Sequence, residues 1–196
     1  MHSRSRILAV VVLSLATIAV ASCRNSPPIS LIERAIEARS TADIVDDNRI
    51  VIDVNRVMAD VRSIKASTEI YEQRLLITGL FSDKSSYNRF RKGVRAVKGV
   101  KKLYWHAAYM SEAEQERQKD RLLGWADALA LDTKIEAQLL ATRGVGSVNF
   151  RVAVGAKGTV YLLGRARSGE ELKKALAVAR GTKGAKRVVN YVVVRP

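Results

Sequence analysis

The chain repeats its own plan at a spacing of 85 residues. Gly79 corresponds to Gly164, Asp83 to Ser168, Tyr87 to Leu172 and Gly99 to Gly184. Lys101 and Lys102 correspond to Lys186 and Arg187, and Leu103 to Val188. At the start of each copy Asp47-Asn-Arg-Ile50 corresponds to Asp132-Thr-Lys-Ile135, so the spacing holds without a gap. Solenoid units are about 20–50 residues long, and this period exceeds them. It points to two tandem domains of about 60–70 residues, and cores that small are marginal alone. Mutual packing, a linker helix or a partner is expected to support them.

Each copy reads α-β-β-α-β. In the first, Ile50, Val54, Val57, Met58 and Val61 recur at helical steps and form one apolar stripe. Residues 67–71 and 75–78 read as strands joined tightly at Glu72-Gln73, and Gly79 breaks the second strand. Ser82 or Asp83 caps the next helix, whose apolar face is Tyr87, Phe90, Val94 and Val97. Lys98-Gly99 ends it, and residues 100–109 close the copy as a strand. In the second copy Asp132 is expected to cap a helix bearing Ile135, Leu139 and Leu140, and Asp47 is read as a cap in the same way. Val148, Phe150, Val152 and Val154 alternate inward against Asn149, Arg151 and Ala153 outward, the period of a strand. After a hairpin loop at 155–158, residues 160–163 return. Ser168-Gly-Glu-Glu171 has capping-box spacing, and Leu172, Ala175, Leu176 and Ala179 face the core. Residues 188–194 close the second copy. Helices on one side of each small sheet give an α+β fold of two αββαβ units.

Before the repeats, Arg4 and Arg6 precede 15 residues, 7–21, that are apolar apart from Ser14 and Thr17. A membrane-spanning helix needs about 20, so this reads as a secretory leader. Val20-Ala21-Ser22-Cys23 resembles a bacterial lipobox, in which the cysteine is lipidated and the leader is cut before it. The alternative is an ordinary signal peptide with an incidental cysteine. Arg24 stands where lipoproteins retained in the inner membrane usually carry Asp, so the resemblance implies a lipid anchor in the outer membrane, facing the periplasm. The division expected is a leader at 1–22, a lipidated cysteine and tether at 23–44, a first domain at 45–110, a linker helix at 111–130 and a second domain at 131–196. Asn25-Ser-Pro-Pro28 continues neither helix nor strand, and Leu31, Ile32, Ala35 and Ile36 have the spacing of a short helix. The linker helix bears Leu122, Leu123, Trp125, Ala126 and Leu129, and either runs into the second domain or docks on it.

The net charge of +15 is uneven along the chain. It is +6 over residues 46–109, −3 over 111–132 and +10 over 133–196. The second domain is therefore the basic one, with Arg165, Arg167, Lys173, Lys174, Arg180, Lys183, Lys186 and Arg187 on its second helix and adjoining turns. These cations are either a solvated face or a surface that binds anions.

The pattern of a helix opened by Asp-x-Lys/Arg-Ile, a hairpin ending in Gly79 or Gly164, a helix, then Gly99 or Gly184 and a closing strand resembles the BON domain (bacterial OsmY and nodulation). The likeness runs from Asp46 to the C-terminus. The second copy matches better, since the first departs at Trp105-His106, where a plain apolar strand is usual. A lipobox ahead of two such copies, with Arg39-Ser-Thr-Ala-Asp-Ile-Val-Asp-Asp47 leading into the first, is similar to outer-membrane lipoproteins of the DolP type. The resemblance implies binding to anionic phospholipid through the first helix of the second domain. That places Trp125, Leu129 and Leu131 in the bilayer interface and Lys134 at the headgroups; alternatively the three apolar residues pack on the domain.

No catalytic constellation is visible. One cysteine and one histidine outside the leader, His106, cannot assemble a zinc site. Gly144-Val-Gly146 lacks the third glycine of a dinucleotide loop. No cofactor or metal is expected, and no enzymatic activity. Three functions remain: a lipoprotein that binds anionic phospholipid and supports outer-membrane integrity, a periplasmic scaffold docking an envelope protein, or a nucleic-acid binder, which the basic composition alone favours. The secretory leader argues against the third, so nucleic acid is not expected as a partner.

Overall fold

The computed structural model describes residues 37–61 and 65–196. The leader, Cys23, the proline tether and the short helix expected at 31–36 lie outside the described residues. The chain is a mixed α+β protein with two three-stranded sheets. In order come α1 (Thr41–Asp60), β1 (Ala66–Tyr71), β2 (Arg74–Phe81), α2 (Lys84–Ala96) and β3 (Lys102–Tyr109). A short α3 (Glu112–Arg117) and a 3-10 turn (Lys119–Arg121) lead into α4 (Trp125–Ala141). A second 3-10 turn (Ser147–Asn149), β4 (Phe150–Val154), β5 (Thr159–Ala166), α5 (Gly169–Gly181) and β6 (Arg187–Val194) complete the second half. In each half the middle strand pairs antiparallel with its hairpin partner and parallel with the strand that follows the crossover helix.

Two helices start earlier than the sequence suggests. Ser40 caps α1, its hydroxyl accepting from the Asp43 amide at 3.1 Å, and α4 starts after Gly124. Asp47 and Asp132 are therefore interior helix residues and not caps. The linker expected as one helix over 111–130 is not continuous: α3 and the 3-10 turn end before Leu122 and Leu123, which lie outside any helix, and only residues 125–130 are helical as part of α4, so the break drawn at 130 falls inside α4. Leu140, expected in the buried stripe, is 74% exposed, because the buried face of α4 runs through Ala128, Leu131, Ile135 and Leu139. Val148 lies in the 3-10 turn ahead of β4. The other caps are as expected: Asp83 accepts from the Ser86 amide and Ser168 from the Glu171 amide.

The repeat is not gapless. Gly79 pairs with Ala66, whereas Gly164 pairs with Phe150, so the first strand of each copy is related by 84 residues and the second strand by 85. The extra residue sits in the second hairpin. The first hairpin closes in two residues, Glu72 and Gln73, both left-handed at φ 52° and 59°. Two-residue turns of this hand usually take Asn-Gly, since glycine is unstrained there. Here Asp47 compensates: its carboxylate accepts from the amides of Glu72 at 2.9 Å and Gln73 at 2.6 Å, and from the Gln73 side chain at 3.0 Å.

Three cores stack through the molecule. Ile50, Val54, Leu75, Ile77, Phe90 and Val94 fill the space between the first sheet and its helices. Leu131, Ile135, Leu139, Val152, Leu162 and Ala175 do the same in the second half. The third core lies between the sheets, where Tyr71, Leu76, Ala153, Tyr161 and Leu163 meet, flanked by Tyr104, Val189 and Tyr191. The outward faces of the strands thus cover one another, and the layers run helices, sheet, sheet, helices. Tyr104 stacks on Tyr191 with ring centroids 3.9 Å apart, and His106 on Tyr161 at 4.2 Å. His106 also shares a 2.8 Å hydrogen bond with the Tyr191 hydroxyl, and burial lowers its pKa.

Glu69 on β1 is only partly exposed and faces charged groups of the other half: Asp132 and Glu136 of α4 and Arg151 of β4. Burial first, then the two carboxylates, push it up to about 8 from 4.5, against the pull of Arg151. The folded state thus holds a proton that the unfolded chain releases. Stability should fall as pH rises from 4.5 to about 8, by at most about 1.4 kcal/mol per pH unit. Glu69→Gln should flatten that slope and raise the urea midpoint at pH 8 but not at pH 4. Equal slopes for variant and parent would refute the assignment.

Candidate membrane-facing surface

At 100° per residue, Trp125, Leu129 and Leu140 fall within about 60° of each other on α4, beside its buried face. Trp125 is 37% exposed and Leu129 41%, so both reach solvent. Leu131 does not: it is 6% exposed and packs against Gly184 in the second core. Lys134 is exposed but lies about 180° from Trp125. It shares a flank with Gln138, which accepts from the Thr182 hydroxyl at 2.5 Å at the end of α5. Lys134 therefore sits toward α5, while Trp125 and Leu129 occupy the other flank. The structure does not bring the four residues onto one helix face.

Lys134 instead joins the cations of α5 and its following turn. Lys173, Arg180, Lys183, Lys186 and Arg187 are exposed, and none lies within 4.0 Å of a carboxylate among the described residues. Lys174 is half-buried and pairs with Glu170 at 3.3 Å, one helical turn back. The glycines that shape the turns hold their expected places: Gly99 and Gly184 have φ 85° and 108°, at the ends of α2 and α5.

The Trp125 flank opens on a groove of about 390 Å³ between the linker, the end of β2 and the end of β4, lined by Leu80, Gln115, Leu122, Leu123, Trp125 and Val154 among others. A second hollow, at Gly144-Val145-Gly146 and the start of α5, is occupied from within. Glu171 accepts there from the amides of Gly146 at 2.7 Å and Arg167 at 2.6 Å. The chain's own carboxylate thus takes the amides that a phosphate would use. Among the described residues no three His, Cys, Asp or Glu side chains gather as metal ligands, and no helix is long and apolar enough to cross a membrane.

Sequence reasoning missed the ionic strap that joins the halves. Arg39, just before α1, donates to Glu37 at 2.6 Å and to Asp47 at 2.6 Å, and its guanidinium lies over the Tyr71 ring. All three ionic side chains are at most 5% exposed. The strap is sewn to the second half: the Ala38 amide donates to Asn149 at 2.7 Å, and Arg165 donates to the Ala38 carbonyl at 2.9 Å. Tyr71 donates to the same Asn149 oxygen at 3.0 Å, and Arg74 donates to the carbonyls of Gly164 and Tyr191, each at 2.8 Å. Glu72 faces Arg74, Arg165 and Arg195. The sequence did signal that the sheets are covered on both faces, though not the strap: the runs Leu75-Leu76-Ile77 and Tyr161-Leu162-Leu163 are apolar on both faces.

The family model of the BON domain matches residues 127–196. That span starts within the first turn of α4 and takes in the whole second sheet and α5. The chain is also similar to an uncharacterized protein in the gshII 5′ region of Anaplasma centrale, 29% identical over 154 residues that cover 76% of this chain and 94% of that one. Two solved structures of CdsD, a structural protein of the type III secretion system of Chlamydia trachomatis, align weakly. One, the C-terminal domain, is 11% identical over 74% of this chain and 64% of its own length, with a TM-score of 0.29. The other is 13% identical over 75% of this chain and 92% of its own, also with a TM-score of 0.29. A likeness at that level says nothing of function here.

Proposed function

We propose that the chain is a non-enzymatic envelope lipoprotein, anchored at Cys23 to the periplasmic face of the outer membrane, that binds anionic phospholipid through its second half. On this reading the first half is a second BON-like domain and the arrangement is of the DolP type. The observation that carries the proposal is the row of exposed cations with no carboxylate within 4.0 Å among the described residues, on α5, its turn and the start of β6, inside the span that matches the BON domain. A lysine or arginine close to an anionic bilayer contributes about 1 kcal/mol. A lipid tether multiplies the effect by holding the surface at high local concentration.

The protein with Cys23→Ser should still sediment with phosphatidylglycerol vesicles at low salt. It should ignore phosphatidylcholine vesicles and release near 1 M salt, where the screening length is about 3 Å. Reversing Lys173, Lys174, Lys186 and Arg187 to glutamate should abolish sedimentation. Salt-insensitive binding to both vesicle types would refute the electrostatic reading. The groove beside Trp125 favours a second reading, docking of an envelope protein, which predicts capture of one partner regardless of lipid charge.

A further inference from the structure

The cations of the second half have counterparts in the first. Between Asp83 and Glu112 the chain carries eight basic residues and no acidic one, and after Glu171 it carries seven and none. The positions correspond: Arg89 with Lys174, Arg95 with Arg180, Lys98 with Lys183, Lys101 with Lys186, Lys102 with Arg187. Arg95, Lys98, Lys101 and Lys102 are exposed on α2 and the turn into β3. Arg95, Lys98 and Lys102 have no carboxylate within 4.0 Å among the described residues. Surfaces that serve solubility alone intersperse both signs; these two stretches exclude one sign completely.

The layer order fixes where the two surfaces point. The sheets meet face to face, so α2 and α5 belong to helical layers on opposite outer sides of the molecule. Sheets stack about 10 Å apart and helices are about 10 Å thick, so the outer faces lie about 40 Å from each other. That exceeds the screening length of about 8–10 Å several times over, so each surface acts independently. One flat bilayer cannot touch both.

We propose that the α2 surface binds an anionic phospholipid bilayer of its own, so that a single molecule bridges two anionic membrane surfaces. The proposal rests on the reading of the second half as lipid-binding and adds a second, oppositely facing site.

The test uses the full-length protein with vesicles of phosphatidylcholine and phosphatidylglycerol, reading co-sedimentation and, separately, vesicle cross-linking by light scattering. One variant carries Arg95→Gln, Lys98→Gln, Lys101→Gln and Lys102→Gln; another carries Lys173→Gln, Arg180→Gln, Lys183→Gln and Lys186→Gln. Each neutralised cation weakens its own surface about fivefold, so four remove that surface while the other holds the protein on vesicles. The parent should bind and cross-link, and each variant should bind without cross-linking. Urea midpoints matching the parent establish that the surface variants fold. An α2 variant that cross-links as the parent does overturns the proposal. A parent that binds without cross-linking overturns it and leaves the lipid-binding function standing, whereas a parent that does not bind at all overturns both.

Discussion

Asp47→Ala should lower stability by about 3–5 kcal/mol, seen as a large fall in the urea midpoint of the full chain. One carboxylate serves two needs at once. It is one of two carboxylates that face Arg39, which is 5% exposed, and it accepts from both amides of a left-handed hairpin built without glycine. Removing it leaves the buried guanidinium with Glu37 alone and leaves two buried or half-buried amides without an acceptor. Asp47→Asn keeps one oxygen for the turn but loses the charge, so its cost should fall between parent and alanine. Restoring the turn with Gln73→Gly in the alanine background should recover part of the loss, because glycine accepts φ 59° without help. A fall below about 1 kcal/mol for Asp47→Ala would show that the turn and Arg39 do not depend on it.

Gly164→Ala should be comparably damaging, at about 3 kcal/mol or more. A methyl group there would meet the Asn149 carbonyl oxygen at 2.0 Å and the Phe150 Cα at 3.0 Å, backbone atoms of the 3-10 turn and of the first residue of β4, at φ +143°. The carbonyl of Gly164 also receives Arg74 from the other half at 2.8 Å. A displaced β5 therefore loosens the join between the sheets as well as its own hairpin. Gly79→Ala, the corresponding change, meets the Lys65 carbonyl at 2.7 Å and should cost less. Gly169→Ala meets nothing within 4 Å and should be near neutral. Equal midpoints for Gly164→Ala and Gly169→Ala would contradict the close approach.

The element order was legible because each copy states it in a strong code. Helical stripes such as Ile50-Val54-Val57 and strand punctuation at Gly79 and Gly164 depend on local geometry alone. Asp47 and Asp132 misled for a physical reason. An aspartate near the start of an apolar stripe looks like a cap, and only the distant hairpin turn shows what a buried one inside a helix serves. The spacing of 85 hid the shift in the first strand, since one residue is lost before β4 and regained in the hairpin. The surface on α4 was half legible. Trp125 and Leu129 reach solvent, but Leu131 shares the apolar chemistry of its neighbours and lies on the other face, and only the helix start at 125 fixes that phase. The strap could not be read, because Glu37, Arg39 and Arg165 are ordinary charged residues until the fold joins positions more than 120 apart.

His106 and Tyr191 occupy corresponding positions in the two halves, and they are hydrogen-bonded to each other. Leu76 and Tyr161 correspond as well, as do Tyr104 and Val189, and all four lie in the same intersheet core. A contact in which a position meets its own counterpart is the mark of an isologous interface, the kind that closes a two-fold homodimer. Within this one chain the two sheets meet as the subunits of such a dimer would. Holding both sheets in one chain removes the dependence on concentration, since the second half is always within reach of the first. It also frees the two halves to diverge: His106 and Tyr191 need no longer be the same residue, and one half can specialise while the other keeps the shared face covered.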